Sequence, residues 1–92
     1  MIGGFKHKGL AALYEQDSSK GVNQSLAKRL RQILGLLDTA LVAEDMNLPG
    51  LRFHALKGEL KGFYSASVSG NWRVIFRFVN QTAYDIDLVD CH

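Results

Sequence analysis

The sequence predicts a single α+β domain in which an N-terminal helical hairpin packs on one face of a mainly antiparallel, highly curved sheet of four to five strands. Apolar residues recur with a helical period from about residue 7 to 45, and with a period close to two from about residue 52 onward. The chain has 92 residues, of which 47% are hydrophobic, enough for one core and too few for two domains. Residues 1–92 are therefore expected to form one unit.

The helical half contains one long predicted helix, between capping residues near Asn23 and the helix breakers Pro49 and Gly50. Its apolar side chains fall at steps of three and four, which places them on one stripe: Leu26, Leu30, Ile33, Leu34, Leu37, Ala40 and Leu41. A shorter helix with Leu10, Leu13 and Tyr14 precedes it, joined through the turn-forming residues 17–21. Both stripes need a partner surface, which the second half supplies.

The second half contains four strand candidates separated by short turn-forming segments, so the strands are expected to pair as an antiparallel meander. They are residues 52–57, 63–69, 72–79 and 83–89, and residues 1–5 are expected to add a further strand. The third candidate alternates between a large apolar face and a face with two arginines: Trp72, Val74, Phe76 and Phe78 against Arg73, Ile75 and Arg77. The apolar face is expected to meet the helices, leaving a concave, partly basic face for a functional site.

The last strand candidate is expected to follow the same division. Its apolar residues Tyr84, Ile86 and Leu88 alternate with Asp85 and Asp87. A period of two assigns the first three to the helix-covered face and the two aspartates to the other.

Polar residues suited to phosphate chemistry lie near the ends of these strands: His54, Lys57, Asn71, Arg73, Asp90 and His92. Adjacent strands of a meander are ~5 Å apart, so we expect these residues to converge. His54 and Lys57 have opposite strand parity, and they can share a face only if the strand ends or bulges between them.

Two imidazoles, fixed cations and a carboxylate fit RNA transesterification, which needs no metal and no other cofactor. A base removes the 2′-hydroxyl proton, the oxyanion attacks phosphorus, and an acid protonates the departing 5′-oxygen. Histidine suits both proton-transfer roles at neutral pH. Arg73 offers a planar fork for phosphate, Lys57 offers a point charge, and Asp90 is able to orient an imidazole.

Three stretches carry a resemblance to a known family. They are FKHKGLAALYEQDSSKGV at residues 5–22, LPGLRFHALKGELKGFYSASVSGNWRVIFRF at 48–78, and the final DCH. With H-x-L-K-G, V-S-G-N-W-R-[IV]-x-F and a terminal D-x-H, the chain resembles the HigB toxins of bacterial toxin–antitoxin systems, within the RelE/ParE superfamily, over nearly its whole length. The resemblance implies a RelE-like fold.

The resemblance also implies a function: a ribosome-dependent endoribonuclease that cleaves mRNA in the A site of the 70S ribosome. It implies a HigA-type helix-turn-helix antitoxin as partner, with operator DNA contacted only through the complex of the two. The family roles are catalytic for His54, Arg73, Asp90 and His92, and substrate-binding for Lys57, Asn71 and Cys91. Which histidine is the base and which the acid stays open.

One position departs from the family pattern. The family usually ends in Asp-Tyr-His, whereas Cys91 stands in the middle here. A tyrosine can stack on a base, a contact worth ~1–3 kcal/mol in single-strand binding, and a thiol cannot. The departure leaves one alternative to full activity, a weakened toxin that acts mainly as an antitoxin-bound corepressor. A separate alternative on the same fold is a ParE-like toxin that inhibits DNA gyrase without nuclease chemistry and has no need of His54, Arg73 and His92 together.

Simpler interpretations exist for the same residues. The last three residues are a frayed tail in many small proteins. A zinc site of His54, Cys91 and His92 lacks the usual ligand spacings. The basic run at residues 28–31 is most simply a solvated helix face.

The composition also bears on location. One cysteine excludes an internal disulfide and fits a reducing compartment. No apolar run reaches the ~20 residues of a membrane span, and charged residues follow Phe5 too soon for a signal peptide. We expect a cytoplasmic protein with no membrane partner, whose net charge of +2 permits a polyanionic one.

Overall fold

Two helices precede a four-stranded antiparallel sheet in the computed structural model, which describes residues 1–90. The helices are α1 (Lys8–Gln16) and α2 (Ala27–Thr39), and the strands are β1 (His54–Ala55), β2 (Tyr64–Ser69), β3 (Trp72–Val79) and β4 (Thr82–Asp90). The strands are hydrogen-bonded in their order along the chain. This arrangement confirms the predicted α+β fold class.

Local capping sets the helix ends. The Nδ1 atom of His7 accepts a hydrogen bond from the Leu10 amide at 3.1 Å, which caps the start of α1, and Asp17 ends that helix in the left-handed region at φ 52°. The α2 helix ends at Thr39, because Ala40 is already extended. The last two residues of the predicted stripe therefore lie beyond the helix: Ala40 is still buried, whereas Leu41 is 62% exposed.

The first helix lies against the connection to α2 with no space between the two backbones. A Cβ atom added at Gly9 would clash with the Gly21 carbonyl group, 2.7 Å from its carbon, and a Cβ at Gly21 would lie 2.7 Å from the Gly9 Cα. Only a pair of glycines permits this approach.

The hairpin loops are short, as the sequence predicts. Gly70 and Asn71 connect β2 to β3, and Gly70 has a φ of 56°. Asn80 and Gln81 connect β3 to β4, and both have positive φ, as a type I′ turn requires. The predicted first strand is reduced to His54–Ala55, and Lys57 precedes a 3-10 helix at Gly58–Leu60. The strand thus ends between His54 and Lys57.

The N-terminal segment pairs with the sheet at two isolated points. Ile2 bridges Ala83 and Phe5 bridges Ile86, both in parallel orientation to β4. Among residues 1–90 the sheet therefore has four strands and two added bridges, the lower limit of the predicted four to five.

A β-bulge in β4 overturns the expected alternation. Asp85 adopts φ 51°, and the register with β3 shifts between Ile75 and Arg77. As a result Ala83 and Ile86 are both fully buried against the core, whereas Tyr84 is 42% exposed. The assignment of Tyr84 to the helix-covered face was wrong, because the extra residue reverses the facing of every position before it.

The core lies between the helices and one face of the sheet. Apolar residues of α1 and α2 meet alternate residues of β2, β3 and β4: Leu10, Leu13, Leu30, Ile33, Leu34, Leu37, Ala66, Val68, Val74, Phe76, Ala83 and Ile86. Each large side chain buried this way contributes about 1.5–3 kcal/mol of transfer free energy. Trp72 and Phe78 pack at its edges, half-buried. The opposite face of the sheet is left for other contacts.

Candidate active site on the sheet face opposite the helices

The register aligns two rows of side chains on the face that points away from the helices. One row runs from His54 through Ser65 and Ile75 to Asp87, and the other runs from Ser67 through Arg73 to Val89. Direct partners in an antiparallel pair project from the same face, so each row crosses the sheet on one side.

The middle of this face is shielded from water. Ser65 is 2% exposed and Ile75 is 5% exposed, although both point away from α1 and α2. The sheet twists and curls, and burial at the centre of this face is consistent with its being the concave one. A ligand held here would lie in a partly desolvated site, where charge interactions are stronger.

Arg73 is the half-buried cation of this surface. Its Nη1 atom donates to the Ser67 hydroxyl oxygen at 2.9 Å and to the Gly70 carbonyl oxygen at 3.4 Å. Both contacts lie toward the β2–β3 hairpin. The guanidinium is therefore held beside the turn that carries Asn71, which is exposed at the next position in the chain after Gly70.

His54 lies on the same face, at the sheet edge formed by β1. The register separates it from Arg73 by two strands and two residues, a Cα–Cα distance of about 12 Å. An interval of this size between the Cα atoms is wide enough for a nucleotide to lie between the two residues. The two predicted site residues are thus on one face without touching each other.

One hydrogen bond defines the His54 tautomer. Its Nδ1 atom is 2.9 Å from the Arg52 carbonyl oxygen, which can only accept, so Nδ1 carries the proton. In the neutral ring the lone pair is then on Nε2, and the side chain is exposed. A proton acceptor is therefore available at the edge of the concave face.

The other predicted site residues are placed differently. Lys57 is exposed, just outside β1. Asp90 ends β4 opposite Trp72, whereas the β4 partner of Arg73 is Val89. Because side chains alternate along a strand, the Asp90 side chain leaves β4 on the same face as Trp72, which is opposite to the face of Arg73. The predictions for Cys91 and His92 lie outside the described residues.

Sequence reasoning did not single out Ser67, which shares this face with Arg73 and His54, and it assigned Asp87 to the face without giving it a role. Ser67 alternates with Ala66 and Val68 in β2, a signal that marks its face but not its partner. Arg77 has the contacts of an ordinary solvent-facing strand residue: it lies over the Phe63 ring at 5.8 Å and 4.0 Å from the Asp85 carboxylate. Arg73 and Arg77 therefore differ in their neighbours, and these neighbours are set by the strand register.

Metal sites and membrane spans can be assessed for residues 1–90. Within that range, no group of three or more His, Cys, Asp or Glu side chains is arranged to hold a metal ion. The zinc alternative includes Cys91 and His92, which lie outside the described residues. Across the same described residues, neither helix has the length and apolar character of a membrane span.

Comparison with known proteins connects this chain and its fold to a family. A model of the HigB-like toxin family, described as RelE-like toxin of type II toxin–antitoxin system HigB, matches residues 3–92. The chain is 38% identical over 92 residues to Endoribonuclease HigB of Proteus vulgaris, covering 100% of both proteins. It is 37% identical over 81 residues to Toxin HigB-1 of Vibrio cholerae, covering 86% of this chain and 85% of that one.

Solved structures with low sequence identity share the fold. YafQ from E. coli superposes with a TM-score of 0.64 at 15% identity, covering 98% of this chain and 91% of YafQ. The YoeB–YefM complex from Staphylococcus aureus gives a TM-score of 0.58 at 14% identity, covering 95% of each chain. The sequence matches and the fold agree: this chain belongs to the HigB-like family of RelE-like toxins from type II toxin–antitoxin systems, and an antitoxin is its partner.

Proposed function

We propose that this chain is an endoribonuclease that cleaves mRNA in the A site of the bacterial ribosome. The observation that carries the proposal is the placement of Arg73, half-buried, on the same concave face as the proton-accepting edge of His54. The relative from Proteus vulgaris, identical at 38% of positions over the full length, is named an endoribonuclease and supports the same conclusion.

The proposed reaction is attack of a 2′-hydroxyl on the adjacent phosphorus. His54 Nε2 accepts the hydroxyl proton, the 2′-oxygen bonds to phosphorus, and the bond to the 5′-oxygen breaks. His92 donates a proton to that leaving oxygen, so the products are a 2′,3′-cyclic phosphate and a 5′-hydroxyl. The available lone pair on His54 supports its role as base, and a positioned acid or base contributes typically ~10²- to 10⁴-fold.

The cations act on the phosphorane, which carries more negative charge than the ground-state diester. Arg73 donates two parallel hydrogen bonds to its equatorial oxygens, and Lys57 adds a point charge from the sheet edge. Asn71, at the hairpin tip, and Cys91 contact the codon in this proposal, and Asp90 orients an imidazole. The reaction requires no metal ion and no other cofactor.

The remaining partners follow from the same proposal. The substrate is presented by the 70S ribosome, which orients the codon and compensates for the modest number of strong bases in the site. A HigA-type helix-turn-helix antitoxin binds the toxin, and operator DNA is contacted only through that complex. The protein acts in the cytoplasm, where translating ribosomes are.

A matched pair of arginine variants tests the proposal. Arg73→Ala should lower the rate of mRNA cleavage on translating ribosomes by ~10²- to 10³-fold, the usual cost of removing one transition-state donor. Arg77→Ala is the control, because Arg77 contacts Phe63 and Asp85 on the sheet surface. Primer extension locates the cuts, and circular dichroism confirms that both variants fold. Undiminished cleavage by Arg73→Ala would refute the proposed role.

Cys91 favours one alternative, a weakened toxin that acts mainly as a corepressor with its antitoxin. The family usually has tyrosine at this place, and a thiol cannot stack on a base. Under that alternative the natural chain leaves mRNA intact, and Cys91→Tyr restores cleavage. Cleavage by the natural chain at rates that Cys91→Tyr does not increase would exclude it. A gyrase-inhibiting toxin would instead block supercoiling in vitro and spare ribosome-bound mRNA.

A further inference from the structure

We infer that Ser67 is a positioning residue for Arg73: its hydroxyl fixes the rotation of the guanidinium so that the edge formed by Nε and Nη2 is presented to the scissile phosphate. The inference rests on the proposed function and adds a residue to it. Ser67 does not belong to the polar constellation at the strand ends, since it lies in the interior of β2.

The protein's own acceptors engage one nitrogen of the Arg73 guanidinium and leave another edge for a ligand. Among the contacts of residues 1–90, both guanidinium hydrogen bonds of Arg73 originate from Nη1, to Ser67 at 2.9 Å and to Gly70 at 3.4 Å. Nη1 carries two N–H groups, so two acceptors can engage both of them. The remaining three N–H groups belong to Nε and Nη2. They form the side-on fork that matches two oxygens of a phosphate.

The backbone that carries the Ser67 hydroxyl is held in place by hydrogen bonds on both sides. Ser67 is the direct cross-strand partner of Arg73, and its amide donates to the Leu51 carbonyl oxygen at 2.6 Å. The register shift between Ser67 and Ser69 follows immediately, so the strand is anchored where it is irregular. A hydroxyl carried by this backbone defines a direction for the arginine at 2.9 Å, a closer contact than the 3.4 Å to the Gly70 carbonyl oxygen.

The orientation of the Arg73 guanidinium affects how well it stabilises the transition state. Arginine stabilises a phosphorane best when both N–H groups of one edge point at the oxygens that gain charge. A guanidinium already held in place needs no reorganisation as that charge develops. Loss of the Ser67 contact should therefore slow the chemical step, and leave binding to the ribosome nearly unchanged.

The test compares variants that differ in one hydroxyl. Ser67→Thr keeps the oxygen and Ser67→Val replaces it with a methyl group of similar volume, with Ser67→Ala as the smaller version of the second. Ser69→Ala is a further control, since Ser69 is an exposed serine of the same strand on the other side of the register shift. We measure single-turnover cleavage of mRNA at saturating ribosomes, ribosome affinity, and the melting temperature of each variant.

The expected result is a loss of about tenfold in the single-turnover rate for Ser67→Val and Ser67→Ala, with Ser67→Thr and Ser69→Ala near the natural rate. In an Arg73→Ala background, Ser67→Val should have no further effect, because its target is gone. The same fold-loss in both backgrounds would show that Ser67 acts independently, and would overturn the inference.

Two other outcomes separate this inference from the proposed function. If Arg73→Ala is inactive while Ser67→Val and Ser67→Ala keep the natural rate, the positioning role is refuted and the nuclease proposal stands. If Arg73→Ala itself cleaves normally, the proposed catalytic role of Arg73 fails, and the inference about Ser67 fails with it.

Discussion

The contact between α1 and the chain that leads to α2 makes a strong prediction about two glycines. Gly9 is in the first turn of α1, and an added methyl group there would meet the Gly21 carbonyl group. Gly35 is in the interior of α2, and a methyl group there meets nothing within 4 Å. The same Gly→Ala substitution should therefore have opposite effects on the free energy of unfolding at the two positions.

The magnitudes follow from two competing effects. Alanine in a helix interior is about 1 kcal/mol more favourable than glycine, and Gly35→Ala should gain that amount. At Gly9 the obstacle is backbone, which cannot rotate away as a flexible side chain would. Forcing an extra carbon into such a space costs typically about 1–3 kcal/mol, more than the propensity gain expected in a first helical turn. Because the propensity gain at Gly9 offsets part of that cost, we expect the two variants to differ by about 1–4 kcal/mol.

Thermal and urea denaturation followed by circular dichroism measure this difference. For a domain of this size about 1 kcal/mol corresponds to ~4–8 °C in melting temperature, well above experimental error. Gly35→Ala should melt above the natural protein and Gly9→Ala below it. A Gly9→Ala variant as stable as the natural protein would show that α1 moves away from Gly21 at no cost, and would refute the close packing as a constraint.

Three further predictions concern the turn, the helix cap and the helix interface. Gln81→Gly should raise the free energy of unfolding by about 1 kcal/mol, because Gln81 is held at φ 66° in the β3–β4 turn; an unchanged melting temperature would contradict it. His7→Ala should cost about 0.5–2 kcal/mol, and His7→Asn, which keeps an acceptor for the Leu10 amide, should lose much less in the same urea titration. Burial, then the hydrogen bond and charge of Asp38, raise the pKa of the Tyr14 hydroxyl above its ordinary value of 10.0. The folded state therefore favours the neutral hydroxyl, a contribution fully present below about pH 10 and lost as the pH rises through the folded-state pKa. Denaturant titrations at increasing alkaline pH should show a shallower loss of stability for Tyr14→Phe, and identical slopes would contradict the assignment.

Some of this protein could be read from local patterns. The stripe of α2 and the alternation of β3 predicted which residues form the core, because burying one face of a helix or strand requires that spacing whatever the partner is. The two hairpin loops were also predictable, because Gly70 and Asn80 tolerate the positive φ of short hairpin turns, although Gln81 does not favour it. The family was recognisable from motifs that hold most of their residues in one stretch of chain.

The failures have a common cause. At Leu41 the periodicity continues although the helix has ended, and at Tyr84 the alternation continues although a bulge has reversed it. A pattern in the sequence carries no information on where two strands shift register. In β4 the added residue allows both Ala83 and Ile86 to reach the core while the N-terminal segment bridges the same two positions.

The amino-acid sequence by itself determined the residue types of the candidate site, the fold class and the family. Tertiary structure alone decided which of those residues share a face. It placed His54 and Arg73 on one concave surface, set Asp90 opposite Trp72, and supplied Ser67 as the partner of the arginine. The physical reason is that a single-residue change of register moves a side chain to the opposite face of a sheet, and register is a property of paired strands, not of either strand alone.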